Sequence, residues 1–214
     1  MHQNPKPSRG RPRSSSRELL EDAAFELFLE NTYAKTTIDQ ITQRAGVGRT
    51  TFFNYFEGKS DVFWVDVDST FAALTSALDA RPAADPVTDA LCGALTTVAA
   101  EFGPSRVPWI LTQHPLIGAV GEVQASALAR FTRWAGILAT FAGVRLGLDP
   151  AALLPRTIAY SFTSALVAAA QEWAAAGPDR GSLAPFVAHE DHVVERDARE
   201  LGELVHSVGL VDAL

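Results

Sequence analysis

The densest concentration of chemistry in the chain is the octet Arg49-Thr50-Thr51-Phe52-Phe53-Asn54-Tyr55-Phe56. At helical spacing Phe52 and Phe56 fall on one face and point inward, onto Ile38, Ile41, Ala45 and the helix before them. Arg49, Thr50, Thr51, Phe53, Asn54 and Tyr55 are then left outside. That set suits the edges of base pairs. Arg can pair bidentately with guanine, Asn with adenine, and Thr can touch a thymine methyl or a phosphate. Tyr55 and Lys59 suit phosphate oxygens, which fix register rather than sequence. The backbone amide of Thr37, at a helix N-terminus, is a further phosphate donor.

Short local signals must hold the octet in place. Ser14 to Ser16 offer N-caps to a first helix with Leu20, Ala23, Ala24, Leu27 and Phe28 on one stripe, ending near Asn31. Thr37-Ile38-Asp39-Gln40 fits a capping box that opens a short second helix. Asp39 in its first turn complements the helix dipole. Ala45-Gly46 closes it, since Gly takes the left-handed C-cap conformation. The turn Gly46-Val47-Gly48 leads into a third helix from Arg49 to about Phe56. Two short helices joined by such a turn form a helix-turn-helix, whose second helix enters the major groove. Gly48, at the exit of the turn, joins the candidate DNA contacts.

Bulk composition sets the frame. The 214 residues are 47% hydrophobic, so a sizeable core is expected. One cysteine, Cys92, excludes an internal disulfide framework and any multi-cysteine metal site. No uninterrupted apolar run reaches the roughly 18 residues of a membrane span, and the N-terminus lacks the apolar core of a secretory signal. A soluble, cytoplasmic protein without a membrane partner is expected. The net charge of −7 disfavours nucleic acid at first sight, but its distribution does not. Five cations (Lys6, Arg9, Arg11, Arg13, Arg17) and no anions precede Glu18, and everything beyond Val65 sums to −8. DNA binding needs a local basic footprint, not a basic chain.

Residues 1–13 read as a flexible basic arm, 14–59 as a helix-turn-helix domain, and 60–214 as a helical body. Helices are expected at about 60–80, 86–103, 105–113, 116–146, 150–176 and 190–209, with a break at His114-Pro115. No strand alternation is visible, so the fold class is all-α. Arg9-Gly10-Arg11-Pro12 resembles the core of an AT-hook, which lies in a narrow A/T minor groove. A basic tail with non-specific phosphate affinity is the alternative for Arg9, Arg11 and Arg13.

Thr36 to Ile41, then Ala45-Gly46-Val47-Gly48, then Phe52 to Lys59, resemble the signature of the tetracycline-repressor family. The likeness covers residues 17–65 closely. Beyond that it is one of length and helix number. Arg49 to Phe56, followed by Lys59, Asp61, Trp64, Asp66 and Asp68, resembles more narrowly the regulators of the mycofactocin system. The family resemblance implies a homodimer on a palindromic DNA operator, paired through 150–176 and 190–209. Ala165, Leu166, Ala168, Ala169 and Ala170 offer a small-residue surface there, and Leu201, Leu204, Val205 and Val208 an apolar stripe. It implies a repressor released by a small apolar effector, with the helix from about Ser60 as the lever. The narrower likeness implies a long-chain acyl-CoA. An activator of the same fold, or a helical adaptor without specific DNA binding, are the alternatives.

The effector set in the second domain is Phe102, Arg106, Trp109, His114, Phe131, Trp134, Phe162 and Trp173. Aromatic side chains between helices can line a cavity, although most are core by default. If the effector is the acyl-CoA that the narrower resemblance implies, one or two of Arg106, Arg130, Arg133 and Arg145 are expected to meet its phosphates at the pocket mouth. His114 either points into the cavity or caps a helix. His189 and His192 are three apart, but nothing nearby completes a metal site. No catalytic constellation is visible, so no enzyme, cofactor or metal is expected.

Overall fold

The computed structural model describes residues 15–117 and 120–188, without the side chains of 114–116. The expected arm with Arg9, Arg11 and Arg13, the helix expected over 190–209, and the His114 side chain lie outside these residues. The described residues are helical and contain no strand. In order they form α1 (Ser16–Asn31), α2 (Ile38–Ala45), α3 (Arg49–Phe53), a 3-10 turn (Lys59–Trp64), α4 (Val65–Asp79), α5 (Val87–Ala99), α6 (Trp109–Ile117), α7 (Gly121–Leu146) and α8 (Leu153–Ala175). Residues 184–188 are helical as well. The chain divides into two compact units, 1–62 and 63–214.

The first unit packs α1, α2 and α3 around Leu20, Ala24, Leu27, Phe28, Ile41, Phe52 and Phe56, all buried. Its helix ends follow the local chemistry. The Ser15 hydroxyl accepts from the Glu18 amide, and the Glu18 carboxylate accepts from the Ser15 amide. Thr37 and Gln40 make the same reciprocal pair on α2. Gly46 caps α2 at φ 69°, a left-handed conformation that costs a residue with a Cβ about 1 kcal/mol or more. The buried Thr36 hydroxyl, near the carbonyls of Leu27 and Thr32, ties the α1–α2 loop to α1. The third helix is shorter than its expected span to Phe56. It tightens after Phe53, where the Tyr55 amide reaches the Phe52 carbonyl.

The second unit is built on the antiparallel pair α7 and α8, with α4 and α5 packed against α7. Its core holds Phe71, Leu74, Leu91, Leu95, Leu138, Phe162 and Trp173. Gly147, at φ 67°, ends α7, and the Leu148 amide returns to the Gly143 carbonyl. A side chain at Gly143 would meet the Leu148 carbonyl at 2.9 Å, so the close turn into α8 depends on glycine there.

Two expectations fail here. The break expected at His114-Pro115 is absent, because α6 runs through Pro115 to Ile117. A proline removes one backbone donor; buried Ile110 and Ile117 still anchor both ends of this short helix. The small-residue surface expected on α8 is divided. Ala165 and Ala169 are buried, Leu166 and Ala170 face a cavity, and Ala168 is exposed. The large exposed apolar side chains of α8 are Leu153, Leu154, Tyr160 and Val167.

Candidate nucleic-acid interface and ligand cavity

On α3 and the turn after it, Arg49, Thr50, Phe53, Asn54 and Tyr55 are exposed and Thr51 is half-buried. Phe52 and Phe56 are buried beneath them, their ring centres 5.2 Å apart. The burial of Phe52 stabilises the α3 anchor by about 2–3 kcal/mol. The helix therefore presents Arg, Thr, Asn and Tyr together. The Arg49 guanidinium lies 5.4 Å over the Phe53 ring and is ion-paired with Asp39 of α2. Gly48 is the N-cap of α3 and puts no side chain over its first turn.

Two expected phosphate donors are already engaged. The Thr37 amide donates to Gln40 Oε1 at 2.8 Å, so the capping box uses the group expected to meet a phosphate. Lys59 Nζ donates to the carbonyls of Tyr33 at 2.7 Å and Thr36 at 2.8 Å, and sits 4.0 Å from the Tyr33 ring centre. Both cases show a side chain or amide satisfying orphan backbone groups inside the unit before any ligand arrives.

Arg44, near the end of α2, bridges Glu26 and Glu30 of α1 at 3.0 and 2.8 Å. The hydrogen bond from Arg44 and, after it, the charge of the guanidinium hold the Glu30 carboxyl below the usual carboxylate range. The same pairing raises Arg44 further above its ordinary value.

In the second unit a cavity of about 410 Å³ opens among α4 to α8. Its walls are apolar: Val67 on α4, Leu95, Val98 and Phe102 from α5 and beyond, Ile110 and Leu111 on α6, Phe131 and Trp134 on α7, and Leu166 on α8. Leu128, Val167 and Gln171 line it and are also exposed, which places its mouth between α7 and α8. Among the described residues Arg130 is the only charged one in the lining. Its guanidinium binds Asp68 in a two-pronged pair at 2.8 and 2.8 Å, donates to the Ser126 carbonyl, and lies 5.1 Å from the Trp64 ring centre. The Trp64 indole N–H donates to Ser126 Oγ at 2.8 Å.

Of the expected effector set, Phe102, Phe131 and Trp134 line the cavity. Trp109 stacks on Phe63 at 5.5 Å and is not in the lining. Arg106 is held by Asp66 and Glu101 over the Phe102 ring. Phe162 and Trp173 are fully buried core, with the Trp173 indole donating to the Gly181 carbonyl. Trp64, Val67 and Thr70 line the cavity but were outside the expected set. The signal available was their spacing of three, from the α4 N-cap Trp64 to Val67 and Thr70 within the helix.

Family comparisons match this two-part geometry. The N-terminal model of bacterial regulatory proteins of the tetR family matches residues 20–63, and the MftR C-terminal domain model matches residues 85–195, more than half of the chain. The chain belongs to the TetR family. Its C-terminal half is of the MftR type. As a TetR-family protein it is a transcriptional regulator with a helix-turn-helix and a helical second domain. It is 28% identical over 164 residues to MftR of Mycobacterium tuberculosis, whose assigned role is transcriptional regulation of mycofactocin biosynthesis. That match spans 77% of this chain and 82% of the relative. Two solved TetR-like folds are similar. FadR of Thermus thermophilus, a repressor in complex with lauroyl-CoA, superposes with a TM-score of 0.55 at 21% identity, over 83% of this chain and 92% of that one. FadR of Bacillus subtilis, in complex with stearoyl-CoA, gives 0.54 at 17%, over 83% and 96%. Among the described residues, no helix is long and apolar enough to cross a membrane.

Proposed function

We propose that this TetR-family regulator is a cytoplasmic repressor. In this reading a homodimer binds a palindromic operator through Arg49, Thr50, Thr51, Asn54 and Tyr55, and an acyl chain entering the second unit releases it. A long-chain acyl-CoA is the proposed effector. The observation that carries the reading is the 410 Å³ cavity, whose apolar walls and α7–α8 mouth fit a chain inside with a polar head outside. The acyl-CoA complexes of the two FadR proteins support the choice of ligand.

Release requires that the effector bind the DNA-incompetent arrangement more tightly than the competent one. Helix α4 supplies Val67 and Thr70, and its N-cap Trp64, to the cavity wall and follows the helix-turn-helix in the chain, so it is the proposed lever. The test is lauroyl-CoA against free CoA. Lauroyl-CoA should raise the melting temperature and dissociate the protein from DNA carrying its own promoter, and CoA should do neither. Equal, null effects of both would remove the effector; the absence of specific DNA binding would remove the repressor.

A further inference from the structure

The cavity wall carries a cation that is spent before a ligand arrives. Arg130 contributes to the lining, yet Nε and Nη2 are both taken by Asp68, at 2.8 and 2.8 Å, and Nη1 by the Ser126 carbonyl at 3.2 Å. Asp68 is not part of the lining; its side chain is 34% exposed and meets Arg130 from outside the cavity. The pair is well shielded on the arginine side, where the side chain is 15% exposed. The Thr70 and Thr163 hydroxyls of the lining are also occupied: they lie 2.6 and 2.7 Å from the carbonyls of Val67 and Ala159. A carboxylate brought into this space would lose its hydration and find Arg130 already neutralised. It would also approach the Asp68 carboxylate, a like charge.

We infer that Asp68 is a specificity-determining residue of the cavity: by holding Arg130 neutralised it excludes acyl chains that end in a free carboxylate and admits those whose carbonyl is an ester or thioester. The inference rests on the acyl-chain reading of the cavity and deepens it. The Gln171 amide can donate to an uncharged carbonyl at the cavity's edge, while a free acid meets only an arginine whose charge Asp68 already balances. Replacing Asp68 with Asn keeps a side-chain oxygen for one arginine N–H and removes the negative charge. Arg130, beside an apolar space, then loses the Asp68 charge that balanced it, which favours capture of a carboxylate.

The experiment titrates the full-length wild type and Asp68→Asn with dodecanoate and with methyl dodecanoate, by calorimetry below the aggregation limit of each ligand. Wild type should bind the ester at least tenfold more tightly than the acid. Asp68→Asn should tighten the acid at least tenfold and leave the ester within threefold. If Asp68→Asn does not fold, Asp68→Ser, which opens room for water at Arg130, carries the same expectation. Wild type binding acid and ester equally would overturn the inference and leave the cavity reading standing. So would an Asp68 variant that binds the ester normally and gains nothing for the acid. Wild type binding neither would overturn the acyl-chain reading itself.

Discussion

Asp39, in the first turn of α2, is ion-paired with Arg49, the first residue of α3. Both are exposed, at 72% and 57% of their side-chain surface, so the pair contributes little to folding. On the proposed reading its consequence lies at the DNA surface, where Asp39 would compete with a base or phosphate for the guanidinium. Arg49→Ala should weaken specific binding by about tenfold or more, the loss of one bidentate base contact, with an unchanged melting temperature. Asp39→Asn should tighten binding to any duplex, by an amount that shrinks as salt rises. Fluorescence anisotropy at two salt concentrations reads both.

Lys59 makes the opposite prediction. Its ammonium holds the Tyr33 and Thr36 carbonyls within the first unit. Lys59→Met should therefore lower the stability of that unit by about 2 kcal/mol, the scale of a hydrogen bond to a charged group. The salt slope of DNA binding should stay the same. A slope reduced by about one at unchanged stability would instead place Lys59 on a phosphate.

The Arg44–Glu30 tie predicts a pH dependence. Arg44, by its hydrogen bond first and its charge second, depresses the folded-state pKa of Glu30. A depressed carboxyl stabilises the fold above its ordinary pKa. That contribution fades as pH falls through the lowered folded value. Carbon-detected NMR titration should show Glu30 titrating below the ordinary range in wild type, and returning to it in Arg44→Gln. An unmoved Glu30 in the variant would mean that Arg44 is not the cause.

Filling the cavity separates ligand from DNA. Ala99 is buried and lines it. Ala99→Phe should abolish the thermal shift produced by lauroyl-CoA while leaving DNA affinity within threefold. Overpacking sets the scale of any cost to stability at about 1–3 kcal/mol. A retained ligand shift would show that the acyl chain binds elsewhere.

The first unit was legible because its signals are local. Thr37 with Gln40, Gly46 at a positive φ, and the Phe52–Phe56 stripe each follow from neighbours a few residues away. The second unit was legible in helix number but not in which side chains face the cavity. Trp173 and Phe131 look alike in sequence, yet one is fully buried core and the other lines the space. Helix crossings decide that, and no local pattern encodes them. Pro115 misled for a related reason: tertiary anchoring by Ile110 and Ile117 overrode a local breaker. Lys59 suits phosphate by residue type, and the Tyr33 and Thr36 carbonyls that engage its ammonium are brought to it only by the fold, whereas the Gln40 partner of the Thr37 amide lies three residues away in the capping box.

The proposed function stands or falls on α3 reading DNA sequence. Selection of binding sites from a randomised duplex library by the full-length protein tests it most directly. A two-fold symmetric site should be enriched, with half-sites about 10 base pairs apart or a multiple of that. Arg49→Ala or Asn54→Ala should relax the preference at one position in each half-site. No enrichment above the unselected library, or an enriched motif unchanged by both substitutions, would contradict it.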